Sequence, residues 1–229
     1  MKINVIVLGA TGMVGEGVLH ECLGNPDIEA VLVINRRPCG VSNPKLKEII
    51  HQDFSNFNPI AESLSGYQAC FFCMGISSIG KKEAEYRKIT YDLTMHIAKM
   101  LAERNSDLTF CYVSGIGTDS SEKGRSMWAR IKGKTENDLL QMPFKAAYMF
   151  RPGFIQAGKD MKNTYKIYKI LNPLFPVFKF LLPKYVNKLE EIGIAMINAA
   201  LHGSDLHILE PGDISLLAKT GEFRSNSGD

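Results

Sequence analysis

The chain lacks the marks of a secreted, membrane-spanning or nucleic-acid-coating protein. Its cysteines number five, an odd count at irregular spacing over 229 residues, so they make no disulfide framework and point to a reducing compartment. The apolar start at Ile3 breaks at Gly9, too short for a signal-peptide core or for a span of ~20 residues. A cytoplasmic protein is therefore expected. Neither sign of charge dominates: 27 Lys and Arg face 24 Asp and Glu, and a net charge of +3 gives no argument for nucleic acid. His20, His51, His96, His202 and His207 form no His-x-x-x-His or Cys-His grouping, so no metal is expected. Cys70 and Cys73 have C-x-x-C spacing but fall in an expected strand, where side chains three apart face opposite ways. With 45% apolar and 22% charged residues and no internal repeat, the composition excludes disorder, collagen and coiled coil.

What is present is an alternation of strands and helices. Residues 3–8 are an almost unbroken β-branched run ending in glycines, as a strand buried on both faces reads. Val14, Val18, Leu19, Cys22 and Leu23 then form a helical stripe that Gly24-Asn25-Pro26 stops. Further strands are expected at 30–34, 69–73, 108–113 and 146–150, with a short apolar pair at Ile49-Ile50. Helices are expected at 82–104, 127–142 and 187–202, the last closed by Gly203. Parallel neighbours need helical crossovers, so the fold class is α/β, a doubly wound parallel sheet with a small C-terminal helical region on the substrate side. Residues 1–156 make the sheet core, and residues 157–229 a lid or substrate region packed on the same domain.

The first turn carries the chemistry. Gly9-Ala10-Thr11-Gly12-Met13-Val14-Gly15 joins the first strand to the first helix. Small residues there let a pyrophosphate approach backbone N–H groups at a helix N-terminus, where the macrodipole favours anions. This G-x-x-G-x-x-G spacing resembles the short-chain dehydrogenase/reductase superfamily, in its extended or atypical branch of epimerase/dehydratase-like and TIP-thirty-like proteins. The resemblance covers roughly residues 1–156. Cys73-Met74-Gly75 is similar to the family's small-residue turn against the cofactor, and Ser114-Gly115-Ile116-Gly117 to its serine-containing active-site turn. Arg151-Pro152-Gly153-Phe154 is similar to its proline-glycine loop beside the nicotinamide, and Lys132-Gly133-Lys134-Thr135-Glu136 also fits. The resemblance implies a Rossmann fold with a bound NAD(P), and it sets Asp53-Phe54 beside the adenine.

Cofactor choice is read at the end of the second strand. An acidic residue there would bind the ribose 2′-hydroxyl and repel a 2′-phosphate. This chain has Ile34-Asn35-Arg36-Arg37, whose two guanidiniums suit a phosphate dianion, so NADP(H) is expected rather than NAD(H).

The family's Tyr-x-x-x-Lys pair is incomplete. Lys132 stands where the motif wants it, but Trp128 occupies the tyrosine position, and an indole N–H donates without titrating usefully. The expected catalytic positions are thus Ser114, Trp128 and Lys132, with Lys132 also holding the nicotinamide ribose. Ser120, Ser121, Ser126, Asp119 and Tyr91 are alternative proton donors that spacing does not single out. Between Lys159 and Lys188, seven Lys against one Asp give a local charge of +6, interleaved with Tyr165, Tyr168, Phe175, Phe178 and Phe180. This stretch reads as a pocket wall for an anionic substrate, as a peripheral contact with an anionic membrane, or as an ordinary solvated amphipathic face. The expected partner is a small molecule, met by a monomer or homodimer. Two activities stand: an NADP(H)-dependent oxidoreductase or epimerase-like enzyme, and a catalytically weak NADP(H)-binding regulatory module.

Overall fold

The computed structural model describes residues 2–156 and 185–225, with side chains as far as Thr220. The stretch Lys159–Lys188 lies outside the described residues except for Tyr185 to Lys188. The strands run β1 (Ile3–Leu8), β2 (Ile28–Asn35), β3 (Leu46–Ile50), β4 (Ala69–Phe72), β5 (Thr109–Val113), β6 (Ala146–Phe150), β7 (Phe154–Gln156), β8 (Val186–Lys188) and β9 (Ile208–Leu209). Seven of them form one sheet in the order β3-β2-β1-β4-β5-β6-β9, every pairing parallel, while β7 and β8 pair separately. This is the doubly wound Rossmann arrangement. The chain leaves β3 at one edge and crosses to β4 on the far side of β1, which makes the β1–β4 boundary the switch point where ligands bind in such sheets.

Strand residues feed the two faces alternately. Val5 and Val7 enter a core with α1 (Met13–Gly24), α5 (Leu189–His202) and α6 (Pro211–Ser225); Ile6 and Leu8 enter the opposite core with α3 (Leu93–Arg104) and α4 (Met127–Leu140). Cys70 belongs to the second core and Cys73 packs against the first, as the two-residue strand period requires. The helix expected over 82–104 is one continuous path in two pieces. Between α2 (Glu83–Arg87) and α3 lies a π turn, Lys88–Asp92, whose flanking residues keep helical dihedrals.

Alternation weakens after Pro152 in the sequence yet resumes in the structure. β9 adds to the sheet beside β6, and α5 lies along α1 at close range. A Cβ at Gly17 of α1 would stand 2.3 Å from Leu189 Cγ, and one at Gly193 of α5 would stand 2.6 Å from Glu21 Cγ. These two notches let the helices approach. No helix among the described residues is long and apolar enough to cross a membrane.

Candidate cofactor cleft and active-site turn

The ends of β1, β2 and β4 open onto a cleft of about 440 Å³ at the switch point. Of the residues expected to bind the cofactor, it brings together Gly9, Thr11 and Gly12 from the first turn, Arg36 and Arg37 after β2, Phe54, and Cys73, Met74 and Gly75 after β4. Gly9 has φ +89°, and a Cβ there would meet the Cys73 carbonyl carbon and Met74 nitrogen at 2.8 Å. The first turn therefore lies flat on the β4 loop. Gly15 sits beneath it: a Cβ would come within 2.1 Å of the Gly9 oxygen. Gly12 differs, since only the Gly9 oxygen, at 3.4 Å, would be near an added Cβ. The first and third glycines thus pack the turn, and the second leaves space above it. Met13 and Val14 do not line the cleft; Met13 is buried in the core and Val14 packs against it.

The arginine turn is held by groups that the sequence reading left unassigned. Buried Asn35 donates from Nδ2 to Glu48 Oε1 at 2.8 Å, and the same oxygen accepts from Cys39 N at 2.8 Å. Gln52 Nε2 donates to the Arg36 carbonyl at 2.7 Å. Glu48 is thereby occupied in fixing the backbone, while the Arg36 and Arg37 side chains stay exposed at the cleft edge. Asp53 is not among the lining residues. Its Oδ1 accepts from the Ser55 hydroxyl and backbone N–H at 2.5 and 2.9 Å, and these bonds lower its pKa. Gln52, Ile76, Ile89 and Leu93 line the cleft without having been expected there. Ile89 lies within the π turn and Leu93 directly follows it, and the altered spacing of that turn could not be read from a helical period. Burial pushes the Cys73 thiol up to about 12, so it faces the cleft as an inert apolar wall.

The serine-containing turn, expected at the active site by resemblance, follows β5. Ser114 is buried, and its hydroxyl donates to the Phe150 carbonyl at 3.1 Å. Its own carbonyl accepts a short hydrogen bond from Lys132 Nζ on α4. Burial lowers the Lys132 pKa from 10.5 to about 8, opposed by the Glu136 carboxylate one turn on. Between those pH values the unfolded chain holds a proton that the folded chain has released, so the burial penalty falls as pH rises through that window. Stability measured by denaturant from pH 7.5 to 10 is expected to gain this contribution in the native protein and to lack it in Lys132→Met. Trp128 stands one turn before Lys132, half-buried, and a Cβ on Gly117 would be 3.4 Å from its Cη2. The indole therefore lies against the same turn that Lys132 grips.

Of the other proton-donor candidates, Tyr91, Asp119, Ser121 and Ser120 are engaged elsewhere. Tyr91 makes a short hydrogen bond to Asp138 Oδ2, and that bond raises its pKa. Asp119 accepts from Ser121 and from Gly124 N, which keeps its pKa low. Ser120 Oγ accepts from Arg151 Nη2 at 2.5 Å.

Arg151 itself anchors the proline-glycine loop. It forms a buried pair with Glu136, with Nη2 to Oε2 at 2.5 Å and Nε to both carboxylate oxygens at 3.1 and 3.2 Å, and it reaches Glu210 Oε1 at 3.0 Å. Pro152 is buried and its carbonyl accepts from Ile116 N at 3.0 Å; Gly153 N donates to Asn187 Oδ1 at 3.2 Å; Phe154 is exposed. The signal for this network was present in the sequence. Glu136 interrupts the buried stripe Ala129, Gly133, Leu139, and a carboxylate on such a stripe needs a partner. Among the described residues no three His, Cys, Asp or Glu side chains gather as metal ligands.

Sheet order and switch-point cleft define a Rossmann-type α/β protein. The chain belongs to the NAD dependent epimerase/dehydratase family, whose model matches residues 5–123. Protein FMP52, mitochondrial, from Candida glabrata is 26% identical, the alignment covering 99% of each chain. The Emericella nidulans protein of the same name is 27% identical over 86% of this chain and 87% of its own. Among solved structures, a short chain dehydrogenase family protein from Francisella tularensis superposes with a TM-score of 0.67 at 16% identity, covering 93% of this chain and 99% of its own. Bordetella bronchiseptica WbmF in complex with NAD+ gives 0.63 at 14% identity over 100% of this chain and 80% of its own. These two likenesses show the fold.

The cytoplasmic expectation is corrected by the relatives, which are named as mitochondrial over most of the chain. Cysteine usage reports redox state and does not choose among compartments.

Proposed function

We propose that this chain is an NADP(H)-binding oxidoreductase or epimerase-like enzyme acting on a small molecule, anionic in the reading of its lysine-rich stretch. The observation that carries this is one cleft shared by the glycine turn and by Arg36-Arg37, with Asn35 where an acidic residue would oppose a 2′-phosphate. The space above Gly12 fits a diphosphate against the backbone N–H groups of the first turn, at the N-terminus of α1. Arg36 and Arg37 would take the 2′-phosphate, and Phe54 would border the adenine. Lys132 would hold the nicotinamide ribose, with Pro152, Gly153 and Phe154 near the ring. When bound, the cofactor supplies the hydride. The protein's part is to fix the turn, keep water from the buried side and handle the proton.

Replacing both arginines by Ala is expected to weaken NADPH binding about 10–100-fold, as for the loss of charge-assisted hydrogen bonds, while NADH binding changes less than about threefold. Equal losses for the two nucleotides in calorimetric titrations would remove the 2′-phosphate assignment.

A second reading, a regulatory binding module with little turnover, is favoured by Trp128 in the tyrosine position and by the commitment of the Ser114 hydroxyl to Phe150. Trp128→Tyr separates the two. The enzyme reading expects native protein to oxidise NADPH with generic carbonyl compounds and the variant to do so no faster. Turnover in the variant alone would favour the module.

A further inference from the structure

Arg36 and Arg37 reach the cleft edge on exposed side chains, and among the described residues neither is in an ion pair. Long side chains on a loose loop bind an anion weakly, because backbone and rotamer freedom must be given up on binding. A turn that selects a 2′-phosphate therefore has to be held before the nucleotide arrives. We propose that Glu48 is the residue that holds it: a positioning residue that sets the preference for NADPH over NADH by acting through the two arginines. This rests on the NADP(H) reading above.

Glu48 lies on β3 opposite Val33 of β2, outside the cleft lining, which Asn35, Arg36 and Arg37 join. Its Oε1 accepts two hydrogen bonds of 2.8 Å, from the Asn35 side-chain amide at the end of β2 and from the Cys39 backbone N–H. The two donors bracket the arginines, so a single oxygen closes residues 35–39 into a loop. Further ties fix the same backbone: His51 N donates to the Asn35 carbonyl at 2.8 Å, Gln52 Nε2 donates to the Arg36 carbonyl at 2.7 Å, and Cys39 packs against the first core. Asn35 is 3% exposed, so loss of its acceptor would strand a buried amide. The choice of partner also leaves the arginines available. A carboxylate beside two guanidiniums would ordinarily pair with one of them and cancel part of the charge a phosphate needs. Here the hydrogen bonds of Glu48 go to neutral N–H groups. NADH lacks the 2′-phosphate, so its binding does not depend on where the guanidiniums sit. The diphosphate turn is closed separately, by Gly12 N donating to the Gly9 carbonyl at 2.9 Å.

Calorimetric titration with NADPH and NADH tests this on the native protein and its variants. Glu48→Ala is expected to weaken NADPH binding about tenfold, the loss from a turn that must be ordered on binding, while NADH binding changes less than about threefold. Glu48→Gln keeps an acceptor for both donors and should stay within about threefold of native for NADPH. In protein already carrying Arg36→Ala and Arg37→Ala, Glu48→Ala should weaken NADPH binding by less than about twofold more, since nothing is left to position. Trypsin gives a readout without nucleotide: cleavage after Arg36 should be about tenfold faster in Glu48→Ala and close to native in Glu48→Gln. Should Glu48→Ala fold poorly, Asn35→Ala removes one donor and leaves the carboxylate, and it should shift the NADPH-to-NADH ratio in the same direction by about threefold. Equal losses for both nucleotides in Glu48→Ala, an unchanged ratio in Asn35→Ala, or a full tenfold further loss in the arginine-free background overturns the positioning role alone. Tighter NADPH binding in Glu48→Gln does the same, because the carboxylate would then be opposing the phosphate by its charge. Native protein that gives no heat with either nucleotide, or that prefers NADH, overturns the cofactor reading and the role of Glu48 with it, whatever the trypsin rates.

Discussion

Glu136→Ala is expected to destabilise the fold by about 3–5 kcal/mol, the penalty for stripping one partner from a buried ion pair. The Glu136 side chain is fully buried and that of Arg151 only 10% exposed. Removing the carboxylate leaves the guanidinium with Ser120 and the half-exposed Glu210, neither of which replaces two-oxygen contact. For a domain of this size such a loss lowers Tm by on the order of 10 °C. Glu136→Gln, which keeps an acceptor, should lose less. The double replacement Glu136→Leu with Arg151→Met should recover most of the stability, because a buried pair replaced by apolar groups is often neutral. Urea denaturation of the three variants checks this. A Glu136→Ala loss below about 1 kcal/mol would mean that the pair is not the clamp described. The clamp also has a functional side. Arg151 directly precedes Pro152 and Gly153, and it ties that loop to α4 through Glu136 and to the segment before α6 through Glu210. Glu136→Ala should therefore also weaken NADPH binding at temperatures where it remains folded.

Gly12→Ala and Gly15→Ala are expected to diverge, and the divergence tests what the first turn is for. A methyl group at Gly15 would stand 2.1 Å from the Gly9 oxygen and 2.9 Å from Ala10 N, both backbone atoms that cannot swing aside. The turn must open, with a stability loss of about 1–3 kcal/mol typical of overpacking and a loss of NADPH binding. At Gly12 the φ of −99° suits any residue and the nearest atom is 3.4 Å away, so the empty protein tolerates the methyl group with a change within about 0.5 kcal/mol. Its Cβ would instead fill the space assigned to the diphosphate. NADPH affinity should fall roughly 100-fold, the effect of displacing an anion from its backbone donors. If Gly12→Ala binds NADPH as tightly as the native protein, the diphosphate does not lie there.

Local pattern carried much of this structure because strand and helix periods are local. The buried run of β1, the stripe of α1 and the strands from β4 to β6 follow from their own residues, and so does the glycine turn that joins β1 to α1. What escaped depends on distance along the chain. β9 is two residues long, and it is a strand because β6 offers an edge for Ile208 and Leu209. Glu48 and Gln52 shape the arginine turn from the next strand and the loop after it, and no spacing rule links them to Asn35 or Arg36. Glu136 and Arg151 both stood in motifs noted for their resemblance, yet their pairing needs α4 packed beside β6. Trp128 was expected at the tyrosine position by resemblance, and the structure sets its ring beside Gly117, where an added Cβ would stand 3.4 Å from Cη2. The compartment was misread because a thiol count senses chemistry rather than address.

The most direct measurement is energy transfer from Trp128 to NADPH in the native protein, titrated alongside NADH. The reading above expects saturable quenching of Trp128 emission with sensitised nicotinamide emission, reaching half-saturation at lower NADPH than NADH. Unchanged emission with both nucleotides, together with no heat of binding, would contradict it.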